Sequence, residues 1–206
     1  GRSAHLLRRS RQLVGGAEAA LQSYFGIVNY GFRNRYFINA NVRRDGSSRF
    51  GPNKRWATFG GVGAAWIISD ENFMAGSRDF LSNLKFKISY GTVGNQDGIG
   101  EYEWQGVVAN RLYNSALGTT VSTPANLDLQ WESRKKFNTG FEFGFFNNRL
   151  NGGIEYYNEK TENLFLPNEL SRTTGFNTLT TNIGSVRNSG IEISLNYDII
   201  RNKDMR

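Results

Sequence analysis

The sequence predicts an all-β fold, an antiparallel up-and-down sheet with one dry and one polar face. Composition is the first observation behind this. With 24 Gly, only 3 Pro and 14% aromatic residues in 206, the chain has the mix expected of many strands and turns carrying large rings at intervals. The second is a period of two. In "FNTGFEFGFF" (137–146), Phe137, Phe141, Phe143 and Phe145 fall on one side of an extended chain, and Asn138, Gly140, Glu142 and Gly144 on the other. The third is that connections between such segments alternate between short and long, as they do when an up-and-down sheet has its two ends in different surroundings.

Seven segments carry the pattern. "SYFGIVNYGF" (23–32) stops at the tight "RNR", and "YFINANVRR" (36–44) sets Tyr36, Ile38, Ala40 and Val42 against Asn39, Asn41 and Arg43 before a loop over 45–54. "RWATFGGVGAAWIIS" (55–69) is the weak member, with apolar or small residues at both parities. A connection over 70–83, long enough for a helical turn around Phe73 to Leu81, leads to "LKFKISYGTVG" (84–94), where Leu84, Phe86, Ile88 and Tyr90 alternate with Lys85, Lys87 and Ser89. Residues 95–132 read as one long loop. "SRKKFNTGFEFGFF" (133–146), the turn 147–149, "LNGGIEYYNEKTENL" (150–164), a loop over 165–184 and "SVRNSGIEISLNYDII" (185–200) complete the series; the last alternates Ile191, Ile193, Leu195 and Tyr197 with Glu192, Ser194 and Asn196.

Two architectures make such strands: a soluble sandwich with Phe in its core, or a transmembrane barrel with Phe in lipid. A segment of about 11 residues, rising roughly 3.3 Å each and tilted about 40°, climbs on the order of 25 Å, the height of a lipid-facing band. Charges sit in mid-strand (Lys85, Lys87, Lys136, Glu142, Glu155, Glu192), and rings gather at strand ends (Tyr30, Phe32, Tyr36, Phe145, Phe146, Tyr197), as membrane-interface girdles require. These features favour the barrel. A soluble or surface-anchored β-sheet binding module and a passive porin-like barrel stay open as alternatives. In the barrel reading, Phe137, Phe141, Phe143, Phe145, Ile191, Ile193 and Leu195 face lipid, and Lys85, Lys87, Glu142 and Glu192 face the lumen. Turns 33–35, 70–83 and 147–149 are then periplasmic, and the three longer loops point outward.

Other chemistries are weakly supported. There is no Cys, hence no disulfide or thiolate metal site. The formal charge of +7 falls to +3 (7 minus 4) once Arg2, Arg8, Arg9 and Arg11 are set aside, so the body is nearly balanced. No run approaches the roughly 20 apolar residues of a spanning helix. Residues 1–21 form an atypical leader, open to being a linker, a frayed disordered end or a mistranslated start, with any export signal expected upstream; 22–206 form the β region. "RRDGSSRFG" lacks the order of a phosphate-binding loop and reads as a loop in which Gly46 relieves the turn and Arg43, Arg44 and Asp45 pair with neighbouring loops. "FGGVGAAW" has no following helix, so its glycines are expected to admit rings of adjacent strands or a plug. His5 stands without partner ligands, and the carboxylate pairs Asp97 with Glu101 and Glu159 with Glu162 read as solvated charges. No catalytic, cofactor or metal site and no nucleic-acid partner are expected. Recognition is expected in the longest loop, through Tyr102, Trp104 and Tyr113, which are suited to stacking on sugar rings or docking a lid; simple loop packing is the equal alternative.

Several stretches are specific enough to carry a resemblance. "NVRRDGSSRFGPNKRWATF", "GAAWIISDENFM", "LKFKISYGTVGNQDGIGEY", "LQWESRKKFNTGFEFGFFNNRLNGGIEYYNEKTENL" and "NIGSVRNSGIEISLN" resemble, in the same order, the C-terminal barrel region of SusC/RagA-family TonB-linked outer-membrane proteins. The resemblance covers about 22–200. It implies an antiparallel up-and-down transmembrane β-barrel segment, about seven strands of a roughly 22-stranded barrel in the bacterial outer membrane. It also implies a plug and further strands outside this chain, a SusD-like surface lipoprotein as lid, energy from the TonB complex, and glycan or peptide cargo.

Overall fold

The computed structural model describes residues 8–14 and 17–199. The strands are β1 (Arg8–Val14), β2 (Ala17–Phe32), β3 (Tyr36–Ser47), β4 (Trp56–Ile67), β5 (Leu81–Asn95), β6 (Val107–Tyr113), β7 (Ala116–Thr123), β8 (Glu132–Phe145), β9 (Leu150–Glu169) and β10 (Thr178–Tyr197). Eight of them form one sheet in the order β1-β2-β3-β4-β5-β8-β9-β10, each antiparallel to its neighbours. β6 and β7 form a separate two-stranded ribbon between β5 and β8. All seven expected segments are present as β2 to β5 and β8 to β10. Within the segment read as a leader, residues 8–14 and 17–21 run as β1 and the start of β2, in register from Arg8 opposite Ser23 to Val14 opposite Ala17. His5 and the end of the last expected segment at Ile200 lie outside the described residues.

The short turns form because their residues accept left-handed backbone. Arg33 and Asn34 (φ 51° and 52°) reverse the chain between β2 and β3, and Phe146, Asn147 and Asn148 (φ 54°, 55° and 60°) do so between β8 and β9. Asn pays little for αL conformation, and such turns match the twist of the flanking strands. The ribbon turns the same way at Asn114 and Ser115 (φ 47° and 65°). The 70–83 connection holds a 3-10 stretch over Asn72–Ser77, overlapping the first part of the helical turn expected around Phe73 to Leu81, while Leu81 already begins β5.

Strands outrun the expected boundaries. β3 continues to Ser47, so Arg43, Arg44 and Asp45 are strand residues rather than loop residues. Their partners are local: Arg43 Nε lies 2.6 Å from Asp45 Oδ2, and the Arg44 guanidinium covers the Trp56 ring at 5.5 Å. Gly46 likewise serves packing rather than a turn, since a Cβ there would lie 2.8 Å from the Trp56 indole. β9 and β10 each run 20 residues, so only 170–177 remain of the loop expected over 165–184.

The ambiguous parity of β4 has a packing cause. Val62, Ala64 and Trp66 share a face with Ile38, Ile88 and Phe86, as the alternation demands. The other face is small at Gly61, Gly63 and Ala65, with Phe59 as its large ring reaching over β5. A Cβ on Gly63 would meet the Asn39 side chain at 2.9 Å, and the Phe59 ring occupies the place of a side chain at Gly94, 2.1 Å from a Cβ there.

Candidate functional site

Register assembles the two faces. One row runs Phe32, Tyr36, Trp66, Phe86, Phe141, Ile154, Ile193, and the next Tyr30, Ile38, Ala64, Ile88, Thr139, Tyr156, Ile191. Phe137, Phe143, Phe145 and Leu195 stand on the same side, so the seven residues expected to face lipid share one face. That face is uncovered: Ile191, Ile193 and Leu195 are 67, 73 and 65% exposed and Phe141 44%. Rings mark both of its ends. Tyr36 stacks on Trp66 at the short-turn end, where Phe80 meets Phe145 and Phe146, and Tyr24 stacks on Trp56 at the long-loop end.

The opposite face is polar and largely self-neutralised. Lys85 and Lys87 both pair with Glu142, Lys85 at 3.5 Å, and Arg134 pairs with Glu159 at 3.3 Å. Glu192 stands directly across from Glu155 beside the same groove, of about 590 Å³, that Lys87, Glu142 and Ser194 line. Lys85, Lys87, Glu142 and Glu192 thus occupy one side together. Glu159 and Glu162 do not form a pair: they lie on opposite faces of β9, Glu162 being held by Lys135 and Lys160. Among the described residues no cluster of three or more His, Cys, Asp or Glu could hold a metal.

At the long-loop end a small core closes over the polar face. Phe50 and Leu129 are fully buried and pack with Phe59, Ile99 and Trp131. The Phe50 and Trp131 ring centres lie 5.0 Å apart, and the Trp131 indole donates to the Arg55 carbonyl at 3.0 Å. Buried Glu132 ties three strands together: Oε2 accepts from Asn95 Nδ2 at 2.7 Å and Oε1 from the Phe165 amide at 2.9 Å. Neither Phe50 nor Glu132 stands out in the sequence, because both lie where alternation has stopped.

The aromatic candidates of the long loop separate. Trp104 packs against this core, donates to the Ser48 carbonyl at 3.1 Å and lies under the Arg55 guanidinium. Tyr102 is 45% exposed. Tyr113 sits at the tip of the ribbon, opposite Ala116. The ribbon stands inside the stretch 95–132 expected to be a loop, and its "YNSA" between β-branched stretches is a hairpin signal. One of its sides carries Val108, Leu112, Leu117 and Val121, 64, 74, 72 and 51% exposed.

At the other end, Glu71 fastens the turn after β4. Its carboxylate accepts from the Tyr36 hydroxyl, from Trp66 Nε1 at 3.1 Å and from Arg35 NH1 at 3.1 Å. These hold its pKa below the usual carboxylate range, the Tyr36 hydrogen bond first, then Trp66, against the opposing cost of desolvation.

Comparison with known proteins agrees with this geometry. Residues 11–203 match the family described as TonB dependent receptor-like, beta-barrel. The chain is 38% identical over 209 residues to the TonB-dependent receptor SusC of Bacteroides thetaiotaomicron, covering 97% of this chain and 21% of that protein. It is 38% identical over 185 residues to the TonB-dependent receptor P39 of Formosa agariphila, covering 89% and 18%. The structure of the RagAB peptide transporter superposes with a TM-score of 0.81 at 39% identity, over 91% of this chain and 21% of that one. The siderophore receptor PirA from Pseudomonas aeruginosa, at 15% identity and a TM-score of 0.55, shares the fold. The chain spans about a fifth of the length of the first two relatives. With an unbroken antiparallel meander, one uncovered apolar face and a match over nearly its whole length, it belongs to the TonB-dependent receptor β-barrel family, on the SusC and RagA side of it.

Proposed function

We propose that this chain is part of the wall of an outer-membrane importer that takes up oligosaccharides or peptides with energy relayed by TonB. The observation that carries the reading is the apolar face, continuous across seven strands and bounded by rings at both ends. On this reading Phe137, Phe141, Phe143, Phe145, Ile191, Ile193 and Leu195 meet acyl chains. Lys85, Lys87, Glu142 and Glu192 line a water-filled interior against a plug. The long-loop end points outward, where the ribbon, Tyr102 and Tyr113 meet a SusD-like lipoprotein or cargo, and Trp104 holds that region in place. The RagAB peptide transporter among the similar structures supports peptide as cargo, and the sequence resemblance to SusC-type proteins adds oligosaccharide as the other candidate.

The two faces give a direct test, since this chain contains no cysteine of its own. In the full-length protein in native membranes, an environment-sensitive label at Ile193→Cys should report hydrocarbon and be quenched by a lipid-soluble quencher. The same label at Glu192→Cys should answer only to a water-soluble one. The reverse pattern, or water access at both, would overturn the reading.

A further inference from the structure

Directly beyond the apolar band, towards the long loops, the same face turns basic. Register places Lys135 opposite Lys160 and Lys160 opposite Arg187, one outward-facing step past Phe137, Asn158 and Ser189. Strands are about 4.8 Å apart, so three cations fall within roughly 10 Å along the edge of the band. Glu162 holds the two ammonium groups, Lys160 at 2.7 Å, and neutralises one charge. Arg187 is steered by its Nε donating to Asn158 Oδ1 at 3.1 Å. Three cations and one anion leave a surplus of two positive charges just past the apolar band, beside Asn158 and Ser189. The side chains of Lys135 and Lys160 remain 42 and 47% exposed.

We propose that Lys135, Lys160 and Arg187 form a seat for the phosphate groups of a phosphorylated membrane lipid whose acyl chains lie along Tyr156, Ile191 and Ile193. This rests on the reading of that face as lipid-facing. The charge sits where it must for this role: a lipid with its chains on the band presents its headgroup at the band's edge. Plain snorkelling needs no cluster, whereas here a shared carboxylate and a hydrogen-bonded guanidinium set three donors side by side, a spacing suited to phosphate oxygens.

The full-length transporter, solubilised in detergent, would be offered diphosphorylated lipid A in competition with its dephosphorylated form, with retained lipid read by native mass spectrometry. The phosphorylated form should be preferred. Each basic residue near an anionic surface strengthens attraction about fivefold, so the Lys135→Gln, Lys160→Gln, Arg187→Gln triple variant should lose most of the preference, and Arg187→Gln alone about fivefold. Arg187→Gln leaves the Glu162 cluster intact and serves if the triple variant fails to fold. Lys87→Gln removes the same charge from the opposite face and should leave the lipid preference unchanged. Equal retention of both lipids, an unchanged preference in the variants, or displacement of the lipid by inorganic phosphate would each overturn the proposal. If the Ile193→Cys label still reports hydrocarbon, the lipid seat alone has failed; if it reports water, the underlying reading has.

Discussion

Three residues decide how the sheet is finished at its ends. Glu71 is held ionised by Tyr36, Trp66 and Arg35, so its pKa is lower folded than unfolded. Its contribution is therefore complete above the ordinary carboxylate range and disappears as pH falls through the depressed folded value. Amide exchange of residues 67–77 should accelerate on acidification, and in Glu71→Gln the same amides should exchange faster at neutral pH, with a flatter dependence on acid. At the far end, Glu132→Ala would strand the Phe165 amide and the Asn95 side chain; leaving buried donors unpaired costs about 1 to 3 kcal/mol, to be read as a lowered denaturant midpoint. Gly94 is the third case. Its missing side chain is replaced by the Phe59 ring, so Gly94→Val must expel that ring from the core, at a cost of about 1 to 3 kcal/mol.

At the scale of elements, alternation made seven strands legible, and turn chemistry at Arg33–Asn34 and Asn147–Asn148 made their reversals legible too. Three things were not. Phe50, Ile99 and Leu129 become core through the docking of three loops, and no period in the chain announces that kind of burial. The ends of β3, β9 and β10 run past the expected boundaries because Asp45–Ser47, the Pro167-Asn168-Glu169 stretch and the Thr-rich start of β10 interrupt the apolar–polar alternation and look like loop. The ribbon β6–β7 was hidden inside a stretch judged by its length alone, although its Asn114–Ser115 turn was readable. That ribbon makes its own prediction. Deleting 107–123 from the full-length protein should leave the large sheet intact, seen as unchanged heat-modifiable gel migration. It should weaken co-purification of the proposed SusD-like lipoprotein, the exposed Val108, Leu112, Leu117 and Val121 being lost with it.

For the whole molecule the decisive fact is the uncovered apolar face. A sheet with this face open and unpaired edges invites association, so the isolated polypeptide should sediment from plain buffer and stay dispersed in detergent micelles. A monodisperse monomer in buffer alone would be the contrary result. The loop core should act as one unit. Leu129→Ala leaves a void among Phe50, Phe59 and Trp131, costing about 3 kcal/mol. Limited proteolysis should then cut first in 48–55 and 96–106, with the strands resisting.

The length of β9 and β10 also sets a height. The band on their apolar face ends near Asn158, and the paired strands continue to Glu169, another ten or so residues. At roughly 3.3 Å each and a tilt of about 40°, that stretch would stand about 25 Å clear of acyl chains lying on the band, on the proposed orientation. On the proposed orientation the β9–β10 hairpin is thus a stiff post beyond the ends of β5 and β8 rather than a loose loop. Antibodies raised against 170–177, at the tip of that hairpin, should therefore bind intact cells even through a sugar-covered surface.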